Sequence, residues 1–136
     1  MTKHVDFEKY KEFVNAVTSM ESKHNDVFFE RLAYLKEKNF PTERLLTAAV
    51  GMSAEAGEFT EIVKKIVFQG KPVNQENLFH LKRELGDIMW YVSQACLGLD
   101  ISLEEVIQMN FEKLSARYPE GAFSIERSEN RKEGDL

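Results

Sequence analysis

Cysteine, proline and glycine are all scarce in this sequence. Among 136 residues there are one cysteine, three prolines and seven glycines. A single cysteine, Cys96, excludes an intrachain disulfide framework and a cysteine-rich zinc site, and it fits a reducing compartment. So few prolines and glycines argue against collagen-like, low-complexity and turn-dense all-β chains. No run of 18 apolar residues occurs, so no membrane-spanning helix is expected. The first ten residues, Met1 to Tyr10, are charged and lack the apolar stretch of a secretory signal. A cytoplasmic protein is therefore expected. No repeat of solenoid length is visible.

What remains is the composition of a folded domain. Apolar residues make up 43% and aromatic residues 11%. A chain of this length can bury roughly two-thirds of its unfolded surface. The formal net charge is −5. That sign disfavours a protein that coats nucleic acid, and no stable nucleic-acid binding is expected. It does not exclude a small anionic substrate met through a metal ion.

Apolar residues recur at spacings of three and four, which predicts an all-α chain. Phe7, Tyr10, Phe13, Val14 and Val17 mark a first helix over residues 6 to about 20. Asn25 is placed to cap a second helix running to about Lys38, and Pro41 separates it from the next. Thr42 begins a long helix that reaches Gln69, where Gly70 stops it. A second long helix is expected from about Asn74 to Leu97, closed by Gly98, Leu99 and Asp100. Ser102 with Glu105 forms a capping-box pattern for a last helix, 103 to about 117. The only extended candidate is Ala122 to Ile125. The expected organisation is a single domain over 1–123 with a core at about 42–98. A charged arm over 124–136 follows. The bundle has about five helices, two of them long and antiparallel.

The chemistry concentrates on those two helices. Glu55 and Glu58 are three residues apart, as are Glu84 and Asp87, so each pair shares one helix face. The neighbours are small or apolar: Ala54, Ala56, Gly57, Phe59 and Ile62 beside one pair, Leu85, Ile88 and Met89 beside the other. Like charges in such surroundings are costly without a cation between them. Oxygen donors select hard divalent ions, so Mg²⁺ is expected, with Mn²⁺ as a substitute. Two such ions would balance four carboxylates. A di-iron bundle uses Glu with His three residues on, and here positions 61 and 87 are Glu and Asp.

A second set lies on the last helix. Asn110, Lys113 and Arg117 form one stripe, followed by Tyr118. An amide, an ammonium and a guanidinium suit phosphate oxygens. Lys65 shares the face of Glu58 and Ile62 and is a further phosphate candidate. Tyr91, four residues after Asp87, falls on the face of the acids.

Together these residues resemble the MazG-like family of all-α nucleoside triphosphate pyrophosphohydrolases. The resemblance covers about Leu46 to Phe123. It rests on Glu55-x-x-Glu58, on Glu84-x-x-Asp87, and on the run Asn110, Lys113, Leu114, Arg117, Tyr118, Pro119, Gly121 and Phe123. The compact size is similar to that of short bacterial and phage members. The resemblance implies cleavage of an NTP or dNTP between its α and β phosphates, in a bacterial cell or a phage-infected host. It implies Mg²⁺ held by Glu55, Glu58, Glu84 and Asp87. It assigns phosphate contacts to Lys113 and Arg117, with Asn110, Lys65 and Tyr118 in support. Base recognition falls to aromatic residues, among them Tyr91, Trp90, Phe28 and Phe29. It further implies a homodimer or homotetramer that completes the bundle. Many relatives carry another Glu just before the first acid pair, sometimes as the base for water. Here that residue is Ala54, and Glu61 is the nearest alternative base. The departure keeps a second expectation open: a catalytically weak or inactive nucleotide-binding adaptor or sensor of the same fold.

Overall fold

The computed structural model describes residues 4–130. Among them there is no strand, and six α-helices and one short 3₁₀ turn follow in chain order. They are α1 (Phe7–Val17), the turn (Met20–Ser22), α2 (Asn25–Glu37), α3 (Thr42–Phe68), α4 (Gln75–Leu99), α5 (Leu103–Arg117) and α6 (Ile125–Glu129). No helix of the described residues is long and apolar enough to cross a membrane. The residues group into two units, one ending at Thr42 and one beginning at Glu43.

In the first unit, α1 starts where Asp6 accepts the Lys9 amide at 3.1 Å. The cap removes one of the unpaired donors of the first turn. The helix stops at Val17 rather than near residue 20, because Thr18 is extended (φ −74°, ψ 135°). Lys23 then ties the turn to α1, its Nζ donating to the Asn15 carbonyl at 2.8 Å. Asn25 is not the cap of α2 but its first residue; His24 holds the cap position. The 3₁₀ turn accounts for the shift. The His24 amide bonds the Met20 carbonyl at 2.9 Å, and the His24 carbonyl accepts the first helical bond from Phe28 at 3.0 Å.

In the second unit, α3 and α4 form an antiparallel hairpin. Its register is read from side-chain contacts. Arg44 Nη1 donates to Gln94 Oε1 at 2.9 Å, Gly98 packs beside Arg44 and Leu45, and Gly51 lies under the Tyr91 ring. Gly70 reverses the chain after α3 at φ 69°, a conformation costly for residues with a Cβ. This lets the Lys71 amide reach back to the Lys65 carbonyl at 3.0 Å. Asn74 caps α4 by accepting the Asn77 amide at 2.9 Å. Asn77 is itself buried, and its Nδ2 donates to the Pro72 carbonyl at 2.7 Å. The connector is thus bonded to the first turn of α4. That helix runs through Gly98 and Leu99, two residues beyond the expected Leu97, and ends where Asp100 turns left-handed (φ 54°).

Ser102 caps α5 as expected, its Oγ accepting the Glu105 amide at 3.0 Å. No residue of α5 is buried, and Ile107, Met109 and Phe111 are all exposed. After it, the Gly121 amide closes a turn on the Tyr118 carbonyl at 2.9 Å. The extended candidate at 122–125 is no strand. Ser124 instead caps α6 by accepting the Arg127 amide at 3.4 Å. The expected charged arm therefore begins as a short helix; its last six residues lie outside the described part. Among the described residues, the buried ones are Ala48, Gly51, Asn77 and Cys96.

Candidate metal centre

The hairpin register decides what the acid pairs can do. Glu55 and Glu58 occupy one face of α3, and Glu84 and Asp87 one face of α4. Antiparallel packing brings the two faces together. Carboxylate oxygens of Glu55, Glu58 and Glu84 lie within 4.8 Å of one another. Asp87 falls outside that trio but is near enough for its charge to act on Glu55.

Glu55 registers the crowding. Its pKa is raised above the ordinary 4.5, first by desolvation, then by repulsion from Glu58, Asp87 and Glu84. A raised folded-state pKa means that the native protein holds this proton more tightly than the unfolded chain. The resulting stability is fully present below pH 4.5 and is lost as pH rises through the raised value. With EDTA present, the stability difference between wild type and Glu55→Gln should therefore change with pH. Wild type loses ground to the variant as the pH is raised from below 4.5 toward neutrality. Paired thermal melts across this range check it; a pH-independent difference would contradict the crowding.

The donor set fits a hard divalent cation: three convergent carboxylates, no thiol and no imidazole. Mg²⁺ takes ligands at about 2.0–2.1 Å, so opposite oxygens around it lie about 4 Å apart. Small side-chain rotations bridge that spacing and the one found here.

The other expected site residues lie outside the carboxylate trio. Glu61 is paired with both Lys64 and Lys65; Lys65 Nζ is 3.1 Å from its Oε1. Hydrogen bonds from Lys64 and then Lys65 hold its carboxyl below the ordinary value, which weakens it as a base. Lys65 in turn spends its ammonium on Glu61. Tyr91 packs its ring on the Gly51 backbone, and Trp90 meets that ring edge-on at 4.8 Å between centroids. Asn110, Lys113 and Arg117 stand together on α5, a helix separate from those of the acids; Asn110 and Lys113 are exposed, Arg117 half-buried. Tyr118 is half-buried, its ring 5.9 Å from that of Phe123. Gly51 is the position that the acid motifs did not single out. The available signal was a glycine one turn before Glu55, paired with an aromatic one turn after Asp87.

Comparison with known proteins places this arrangement. The model of the MazG nucleotide pyrophosphohydrolase domain matches residues 43–122, spanning α3, α4, α5 and the turn after it. The chain belongs to the MazG family. Both acid pairs and the α5 stripe lie inside the matched segment, and the resemblance read from about Leu46 to Phe123 has nearly the same limits. A relative is the "Gene 37 protein" of Mycobacterium phage L5, 44% identical over 80 residues, which is 58% of this chain and 70% of that protein. No solved structure matches the chain. The MazG segment begins at the boundary between the two structural units, so α1 and α2 precede it.

Proposed function

We propose that this MazG-family chain is a Mg²⁺-dependent nucleoside triphosphate pyrophosphohydrolase. It cleaves an NTP or dNTP between the α and β phosphates, releasing a monophosphate and pyrophosphate. The observation that carries this reading is the convergence of Glu55, Glu58 and Glu84 on one point of the MazG segment.

Glu55, Glu58, Glu84 and Asp87 would hold the divalent ions. Bound there, the ions supply Lewis-acid stabilisation of phosphate oxygens and make water more acidic. The chain's own residues do the rest. The four acids fix the ions on the faces of two helices. Lys113 and Arg117 bind the phosphate oxygens of the leaving pyrophosphate, and Asn110 and Tyr118 orient them. Glu61, already committed to two lysines of its own helix, takes no part in the proton transfer.

The MazG module, α3 to α5, leaves apolar side chains uncovered: Leu46, Val50, Leu85, Trp90, Leu97, Ile107 and Phe111 are exposed. This supports a homodimer or homotetramer that completes the bundle. A monomeric mass by light scattering at micromolar concentration would overturn it. The phage relative supports action in a bacterial or phage-infected cytoplasm.

The deciding experiment is pyrophosphate release from a panel of NTPs and dNTPs with Mg²⁺, with EDTA as control. At least one substrate should turn over, and EDTA should stop it. Ala54, together with the pairing of Glu61, favours one other reading: an adaptor or sensor that binds nucleotide without turnover. That reading predicts a nucleotide- and metal-dependent rise in melting temperature with no product.

A further inference from the structure

We propose that Tyr91 is a positioning residue. Through its contact with Gly51, its ring sets the distance between α3 and α4, and so the spacing of the carboxylates that hold the metal. The inference rests on the metal-centre reading above and adds a residue to it.

Gly51 is buried, and a Cβ built on it would fall 2.0, 2.2 and 2.3 Å from Cε1, Cδ1 and Cζ of Tyr91. Real Cβ atoms do not approach carbon so closely. The ring therefore lies directly on the α3 backbone and acts as the shim between the helices. Its escape is limited on another side by Trp90, whose ring meets it at 89°.

This shim sits one turn from the acids on both helices. Gly51 precedes Glu55 by four residues, and Tyr91 follows Asp87 by four. At 1.5 Å per residue the two layers are about 6 Å apart along the axes. A change in helix separation at the Gly51–Tyr91 layer therefore reaches the carboxylates one turn away. Metal sites are sensitive to such changes, since workable ligand distances hold to about ±0.2 Å. Mg²⁺ demands near-ideal octahedral geometry, whereas Ca²⁺ accepts six to eight ligands at longer and looser distances. A wedge at Gly51 should consequently weaken Mg²⁺ more than Ca²⁺. General destabilisation would have no reason to discriminate between the two ions.

The test is calorimetric titration of the full chain with Mg²⁺, Mn²⁺ and Ca²⁺, with helicity and melting temperature followed alongside. Gly51→Ala should weaken Mg²⁺ and Mn²⁺ about 10- to 100-fold, the range seen when groups that orient metal ligands are lost, and Ca²⁺ less. The double variant Gly51→Ala with Tyr91→Ala should recover part of the loss, because the new methyl occupies space the ring has left. Tyr91→Phe should keep wild-type Mg²⁺ affinity, since the ring and not the hydroxyl is the spacer. Should Gly51→Ala fail to fold, Tyr91→Leu and Tyr91→Phe carry the test: the first weakens Mg²⁺ more than Ca²⁺, the second does not. A folded Gly51→Ala protein with unchanged Mg²⁺ affinity overturns the proposal, as does an equal loss for all three ions. Absence of Mg²⁺ binding in wild type overturns the metal-centre reading itself, and is recognised by appearing before any substitution is made.

Discussion

Glu58→Ala is expected to cut pyrophosphate release by about 10²- to 10⁴-fold. Polarisation of phosphate oxygens by bound metal contributes several kcal/mol to a transition state. At 1.36 kcal/mol per factor of ten, losing about 2.7–5.4 kcal/mol gives that range. Glu58 is one of three carboxylates whose oxygens converge within 4.8 Å, so its removal leaves two of the trio. The variant should not be damaged as a folded protein. Glu58 is exposed and is the first of the charges that repel Glu55, so its loss relieves repulsion in the metal-free state. Steady-state pyrophosphate release should fall, while the melting temperature measured in EDTA should stay level or rise. Wild-type turnover in Glu58→Ala would remove the basis for the metal centre.

The converse result is expected for Asn77→Ala. Asn77 is 6% exposed, and its Nδ2 donates to the Pro72 carbonyl at 2.7 Å. Alanine leaves that carbonyl without its partner and opens a void at the start of α4. Pro72 is exposed, so its carbonyl can turn to water, and the loss is that of one intramolecular hydrogen bond, about 0.5–1.5 kcal/mol. For a unit of this size, that lowers the melting temperature by roughly 2–12 °C. Asn77 lies about two turns before Glu84 and touches none of the acids directly. At temperatures where the variant is folded, its turnover should match wild type. Thermal unfolding and initial rates, measured on one preparation, separate the two effects. A normal melting temperature would show that the Asn77–Pro72 bond does not hold the connector. Together, the Glu58 and Asn77 variants should dissociate activity from stability in opposite directions.

Much of the architecture was legible because it is local. The 3.6-residue period marks both long helices, and Ser102 and Asn74 act through hydrogen bonds three residues away. The acid pairs were legible for the same reason: spacing along one helix places two carboxylates on one face. Convergence of Glu55, Glu58 and Glu84 across helices also followed, since a short connector forces long helices to return antiparallel; Asp87 stands outside the trio. What escaped was decided by contacts across space or by competition between neighbours. The distance of Tyr91 from Asp87 places it on the face of the acids, but that its ring also fills the slot left by the missing side chain at Gly51 was not visible. Glu61 reads as a spare base. Its lysines at i+3 and i+4 were visible in the sequence, and pairing with them is the cheaper fate for a half-buried carboxylate. The helix after Ser124 was hidden by its density of charge, which five residues and a serine cap tolerate.

The proposed metal ligands all come from one hairpin, between Glu55 on α3 and Asp87 on α4, joined by the short connector at Gly70. This bears on how the site comes into being during folding. Closing a short loop between two helices is among the fastest steps available to a chain, and a pair of consecutive helices needs no encounter with distant segments. The ligand set can therefore assemble in a nascent hairpin, before slower encounters between larger pieces of the protein. A cation captured at that stage would relieve the repulsion among the acids and act as a folding nucleus. The charge cluster that burdens the finished metal-free fold would then favour rapid assembly whenever Mg²⁺ is present.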